Sequence, residues 1–143
     1  MTGEAPPLLV RLLAPGEPGD YEALRRSVAY PECGAVVTFE GVVRLTENGR
    51  PLKALDYEHH EAMALPELEK VCRQALQNFD IRRVACVHRL GQVPVQEASV
   101  VVVVGADHRA PAFGACQFIM DTLKRTVPIW KSPIYMGSYD GQA

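Results

Sequence analysis

The stretch that decides the fold is Ala98-Ser99-Val100-Val101-Val102-Val103-Val104-Gly105-Ala106. It reads as a β-strand, because β-branched residues pack well on a pleated surface. Successive side chains in a strand point to opposite faces, so the run of valines makes both faces apolar. Such a strand must be covered on both sides, by helices or by a second subunit.

Helices that could do this flank it. Downstream, Phe113, Cys116, Met120, Leu123 and Val127 form the core stripe of a long helix. Pro111 is tolerated in its first turn and Pro128 ends it. Upstream, Leu65, Leu68, Val71, Cys72, Ala75, Leu76 and Phe79 recur at i, i+3, i+4 spacing, which predicts an amphipathic helix of about four turns. A shorter helix starts at Asp20, carries Tyr21, Leu24, Arg25 and Val28, and is stopped by Pro31. Further strands are expected over Leu8 to Leu13, Gly34 to Arg44, Leu52 to Glu58 and Val84 to Leu90. Gly41 interrupts the second of these and predicts a bulge or a close backbone approach. Asn48-Gly49 is the best hairpin-turn dipeptide in the chain. Gly91 to Glu97 reads as a connecting loop, and Ile129 to Ser132 as extended chain. Residues 1–7 and 133–143 are expected to be flexible or irregular. The pattern predicts one α+β domain over residues 1–143, with antiparallel hairpins and about three helices.

Composition narrows the function classes. The chain has 143 residues, 15 Lys plus Arg, 17 Asp plus Glu and a net charge of −2. No basic excess exists to neutralise a polyphosphate, so nucleic acid is excluded as the expected partner. No apolar run approaches a membrane span, and Met1-Thr2-Gly3-Glu4 shows no secretory signal, so a cytoplasmic protein is expected. The four cysteines, Cys33, Cys72, Cys86 and Cys116, form no Cys-x-x-Cys motif and read as small buried hydrophobes, Cys33 alone lying near the surface. His59 and His60 have no ligand-like spacing to a third group, and no metal site is expected. His88 reads as a core or interface residue, and Trp130 as a packing residue rather than a ligand stacker.

Candidate chemistry centres on cations. His108 and Arg109 directly precede a helix, where free backbone N–H groups and the helix dipole already favour an anion. Arg44 closes a strand beside a turn. Lys124 lies near the end of the last helix, with Met120, Leu123 and Val127 around it. Partial burial of its stem and a second nearby ammonium would favour its neutral, proton-accepting form. Lys131 follows seven residues later, beyond Pro128, so helical spacing cannot bring the two together. They converge only if Ile129-Trp130-Lys131 folds back.

Five segments occur together in a characteristic order: Gly34-Ala35-Val36-Val37-Thr38-Phe39-Glu40-Gly41-Val42-Val43-Arg44, Leu55-Asp56-Tyr57-Glu58, Val87-His88-Arg89-Leu90-Gly91, His108-Arg109-Ala110-Pro111-Ala112-Phe113, and Leu123-Lys124-Arg125-Thr126-Val127-Pro128-Ile129-Trp130-Lys131. The set resembles the large, catalytic subunit of molybdopterin synthase, over roughly the region from Gly34 to Lys131. The resemblance implies an α/β hammerhead fold and a sulfurtransferase. The reaction it implies is transfer of sulfur from the C-terminal Gly-Gly thiocarboxylate of a small ubiquitin-like carrier to cyclic pyranopterin monophosphate, making the dithiolene of molybdopterin. It implies a homodimer with one carrier at each end, a heterotetramer, and no permanently bound cofactor. Catalytic roles fall on Lys124 and Lys131. Substrate contacts fall on Val42, Val43, Arg44, His108, Arg109, Lys124, Lys131, Ser132 and Pro133, and pocket-lining positions on Phe39 and Met120. One departure concerns the tail: no Arg or Lys follows Lys131, where relatives can supply a further arginine to a neighbouring site. The competing expectation is a non-catalytic dimeric module that docks a ubiquitin-like tail. A carrier is a poor reading, because Gly141-Gln142-Ala143 is not a Gly-Gly end.

Overall fold

A computed structural model describes residues 6–137. The elements run β1 (Leu8–Leu13), α1 (Tyr21–Val28), β2 (Ala35–Val42), β3 (Thr46–Glu47), β4 (Arg50–His59), α2 (Ala64–Asn78), β5 (Arg83–Arg89), β6 (Gly91–Pro94), β7 (Ala98–Ala106), α3 (Arg109–Thr126) and β8 (Ile129–Tyr135). Three helices and two mixed or antiparallel sheets make the expected α+β domain. The first sheet has the order β1-β5-β7-β2, with β1 parallel to β5 and the other pairs antiparallel.

The valine strand β7 is buried along its whole length. Val100, Val102 and Val104 pack with α2 and α3, through Leu68, Cys72, Cys116 and Ile119. Val101 and Val103 pack on the other face with Leu24 and Val28 of α1. Of the two kinds of cover open from sequence, helices or a second subunit, the chain's own helices cover both faces. At about 25 cal/mol per Å² of apolar surface removed from water, this two-sided burial is the main stabilising term of the domain. The N-cap of α1 is Asp20, whose carboxylate accepts from the Ala23 N–H at 3.0 Å.

Around β4 a second sheet forms. Asn48 and Gly49 both have positive φ, 54° and 74°, the geometry of a two-residue primed turn, and join β3 to β4. β6 pairs with one part of β4, and β8 pairs with β4 from Leu52 to His59. Its small core is Val43, Leu52, Leu55 and Val93.

Two expectations are corrected here. Gly91 to Pro94 is a strand rather than a loop, and Pro133 to Tyr135 belongs to β8 rather than to an irregular tail. Neither segment alternates cleanly between polar and apolar residues. Both are strands because β4 offers backbone partners. The end of β8 is further held by Tyr135, whose hydroxyl accepts from Asn48 Nδ2 at 3.1 Å and whose ring lies 3.8 Å beneath the Arg50 guanidinium. The expectations for residues 1–5 and 138–143 lie outside the described residues.

Candidate functional site

Where the two sheets meet, a cavity of about 410 Å³ opens between the sheet floor, the last turns of α3 and β8. Its volume falls in the range of small-molecule sites. A row across the first sheet forms the floor. His88 on β5 lies opposite Val100 on β7, and Val100 lies opposite Gly41 on β2. The irregularity expected at Gly41 is real, but its geometry is unexpected. Gly41 pairs with Val100 and Val42 with Ala98, so the extra residue is Ser99 on β7. The Ser99 hydroxyl donates to the Gly41 carbonyl at 3.3 Å and accepts from the Tyr57 hydroxyl at 3.1 Å. Gly41 allows a close approach: a Cβ there would stand 2.7 Å from Val100 Cγ1, so one of the two would have to shift.

The walls carry the charge. α3 projects Met120, Leu123 and Lys124 over the mouth. The chain turns at Pro128, and β8 runs back along β4, so Lys131 comes to lie opposite Tyr57 on the cavity side. The fold-back that the convergence of Lys124 and Lys131 required is therefore the β4–β8 pairing. His60 N–H, donating to the Pro128 carbonyl at 3.1 Å, anchors the turn. Trp130 Nε1 donates to Glu58 at 2.9 Å, and the ring is half exposed at the rim rather than packed in a core. Arg44 lies at the other wall, 3.5 Å from the Glu47 carboxylate. Three cations and one carboxylate line the cavity, a local positive surplus on a chain of net charge −2. This concentrates anions at the mouth.

Of the sequence-derived site residues, Phe39, Val42, Arg44, Met120, Lys124 and Lys131 line the cavity. Val43 does not. It is 2 % exposed and sits in the core of the second sheet, because it follows Val42 on the opposite face of the chain. Ser132 lies opposite Asp56, on the other face of β8 from Lys131, and Pro133 is exposed beyond the cavity. Lys124 is exposed, so the expected burial of its stem is absent within one chain.

His108 and Arg109 start α3 and Lys124 is near its end, so about 22 Å of helix separates them. Both are exposed, and His108 caps α3 with no side-chain hydrogen bond, leaving the first N–H groups of the helix unoccupied by its own side chain. A bonded cluster stands behind them: Asp107 accepts from the Tyr30 hydroxyl at 2.7 Å and from Arg82 at 3.2 Å. The Tyr30 bond holds the Asp107 carboxyl below its usual pKa, while burial raises that of Tyr30.

His88 escaped the sequence reading as a site residue. It is 5 % exposed, yet it faces the cavity. Its only legible signal was position, a polar residue inside an otherwise apolar strand.

Fold and cavity define an α+β protein with an open, net-cationic pocket suited to a small anionic ligand. A family model described as MoaE protein matches residues 15–126, and the chain belongs to that family. It is 39 % identical over 127 residues to an Arabidopsis thaliana protein named molybdopterin synthase catalytic subunit, an alignment that covers 89 % of this chain and 64 % of that relative. A solved structure of molybdopterin synthase from Staphylococcus aureus superposes with a TM-score of 0.81 at 28 % identity, over 88 % of this chain and 92 % of that one. A Helicobacter pylori complex of subunits 1 and 2 of molybdopterin-converting factor shares the fold, with a TM-score of 0.68 at 22 % identity over 93 % and 92 % of the chains.

Proposed function

We propose that the protein is a sulfurtransferase that builds the dithiolene of molybdopterin. It would take sulfur from the C-terminal thiocarboxylate of a small ubiquitin-like carrier and pass it to cyclic pyranopterin monophosphate. The observation that carries this reading is the meeting of Lys124, Lys131 and Arg44 in one cavity. Both reactants are anions, a phosphate ester and a thiocarboxylate, and such a set of cations can hold them together. Each cation contributes about 4 kcal/mol of gross attraction at 4 Å in an effective dielectric of about 20, before desolvation. The names of the Arabidopsis and Staphylococcus relatives support the assignment.

Lys124 acts as general acid and base during thiocarboxylate attack and carrier release, and Lys131 stabilises the developing negative charge. Arg44 binds the phosphate, and positioning of the two reactants supplies much of the rate. His108 and Arg109 cannot reach this cavity along their own helix. In this reading a homodimer brings them from a second copy to complete the phosphate seat, with one carrier docked on each half.

The test combines purified protein, thiocarboxylated carrier and cyclic pyranopterin monophosphate, and measures molybdopterin formed. Wild type should make product, and K124A should be slower by about 10²-fold or more. Product from both proteins at equal rates would remove Lys124 from catalysis. No product with carrier binding intact would favour the non-catalytic docking module.

A further inference from the structure

We infer that His88 is a specificity-determining residue of the cavity: its Nε2 accepts a hydrogen bond from a ring or amino N–H of the ligand's heterocycle. The inference rests on the functional reading above and deepens it. It divides the cavity into a donor-rich mouth for the anionic group and an acceptor floor for the heterocycle.

The argument starts from the ring's hydrogen bonds. Nδ1 of His88 lies 2.8 Å from the Arg89 carbonyl oxygen. A carbonyl only accepts, so Nδ1 carries the proton and Nε2 keeps its lone pair. Burial disfavours the charged ring and pushes its pKa down, so the imidazole stays neutral. The Tyr57 ring meets it edge-on, with centroids 5.0 Å apart and planes at 70°, which fixes its orientation. Nε2 has no hydrogen-bond partner among the described residues. Among those residues, the one fully enclosed side-chain polar atom without a partner is Thr122 Oγ1. Nε2 is therefore not fully enclosed, and the open space that His88 lines is the cavity.

The rest of the floor has the same character. Tyr57 spends its proton on Ser99, and Ser99 spends its own on the Gly41 carbonyl. The side chains of the floor thus present lone pairs, whereas Lys124, Lys131 and Arg44 at the mouth present only donors. A phosphate lowered to the floor would meet no donor from His88 and would lose its hydration without return. A heterocycle with an amide-like N–H and an amino group fits the floor, with its phosphate left at the mouth. That is the chemistry of a pterin phosphate, and also of guanosine monophosphate.

Two measurements decide the matter. Nitrogen NMR of histidine-labelled protein at neutral pH should show His88 protonated at Nδ1 and bare at Nε2. A ring protonated at Nε2, or doubly protonated, overturns the inference. Binding of cyclic pyranopterin monophosphate is then compared in wild type, H88F and H88Q, with inorganic phosphate as the anion-only probe. H88F should bind the pterin about tenfold more weakly, the worth of one neutral hydrogen bond. H88Q, whose amide oxygen can take the place of Nε2, should recover most of that loss, and inorganic phosphate should bind all three alike. Equal pterin affinity in wild type and H88F overturns the inference, as does an equal loss in both variants. If wild type ignores the pterin but guanosine monophosphate shifts the Nε2 resonance, the functional reading falls and the role of His88 stands. If neither ligand shifts it, the inference falls too.

Discussion

Replacing Gly41 by alanine tests how the sheet floor makes room for the cavity. The new Cβ would lie 2.7 Å from Val100 Cγ1 and 3.4 Å from the Phe39 ring. Two carbons in good contact sit about 3.5–4.0 Å apart, so the methyl arrives about 1 Å too close. Val100 cannot easily yield, because it is 5 % exposed and its branched Cβ stiffens χ1. Overpacking of this kind costs about 1–3 kcal/mol. At about 3 °C per kcal/mol for a chain of this length, the midpoint of thermal unfolding should fall by about 3–9 °C. Circular dichroism melts of wild type, G41A, V100A and the double variant separate the clash from other causes. Removing Cγ1 removes the contact, so the double variant should be at least about 1 kcal/mol more stable than the two single losses added together. G49A supplies the contrast. Gly49 has open space around it but a φ of +74°, so its cost is backbone strain and should show no coupling to V100A. Additivity of G41A and V100A within about 0.5 kcal/mol would refute the packing argument.

Other expectations follow from burial. A neutral-pH alkylating reagent should label Cys33 in the native protein and leave Cys72, Cys86 and Cys116 unmodified until denaturant is added. Burial pushes Cys116 up to about 11, and the neighbouring Cys72 thiol together with burial pushes Cys86 up. Rapid native labelling of all four, read by mass spectrometry, would contradict the packing. His88 makes stability pH-dependent in a defined direction. Burial holds its folded pKa below the ordinary value of 6.5, so its contribution is present above that value and is lost as the pH falls below it. Between about pH 7.5 and 5.5 wild type should therefore lose more stability than H88Q in denaturant titrations, and an equal or smaller loss would argue against a buried neutral ring.

The parts of the fold that were legible in advance rest on local signals. Apolar periodicity marked α2 and α3 to within a residue or two, and the valine run marked β7. Asp20 was readable as a cap and Asn48-Gly49 as a turn, because each follows from the chemistry of one or two residues. The site was legible only in pieces. Arg44, Lys124 and Lys131 are legible as cations, but no spacing along the chain joins them, and in the sequence only the family resemblance does. Arg109 shared a helix with Lys124, yet the length of α3 holds them apart. Alternation along the chain sends the side chains of Val42 and Val43 in opposite directions, so Val43 packs in the core of the second sheet while Val42 lines the cavity.

By itself the sequence determined the elements: where the chain coils, where it extends, and which faces are apolar. Such choices depend on side-chain shape and on spacing within a few residues. What only the tertiary structure decided is which distant residues meet. β6 and β8 carry weak strand signals and exist because β4 exposes unpaired N–H and C=O groups for them to bond. That pairing turns Lys131 back towards Lys124, the β5–β7 register sets His88 into the floor beneath them, and the Ser99 hydroxyl ties Tyr57 to that floor. Long-range backbone pairing has no periodicity to read along the chain, so the cavity becomes visible only once the sheets are assembled.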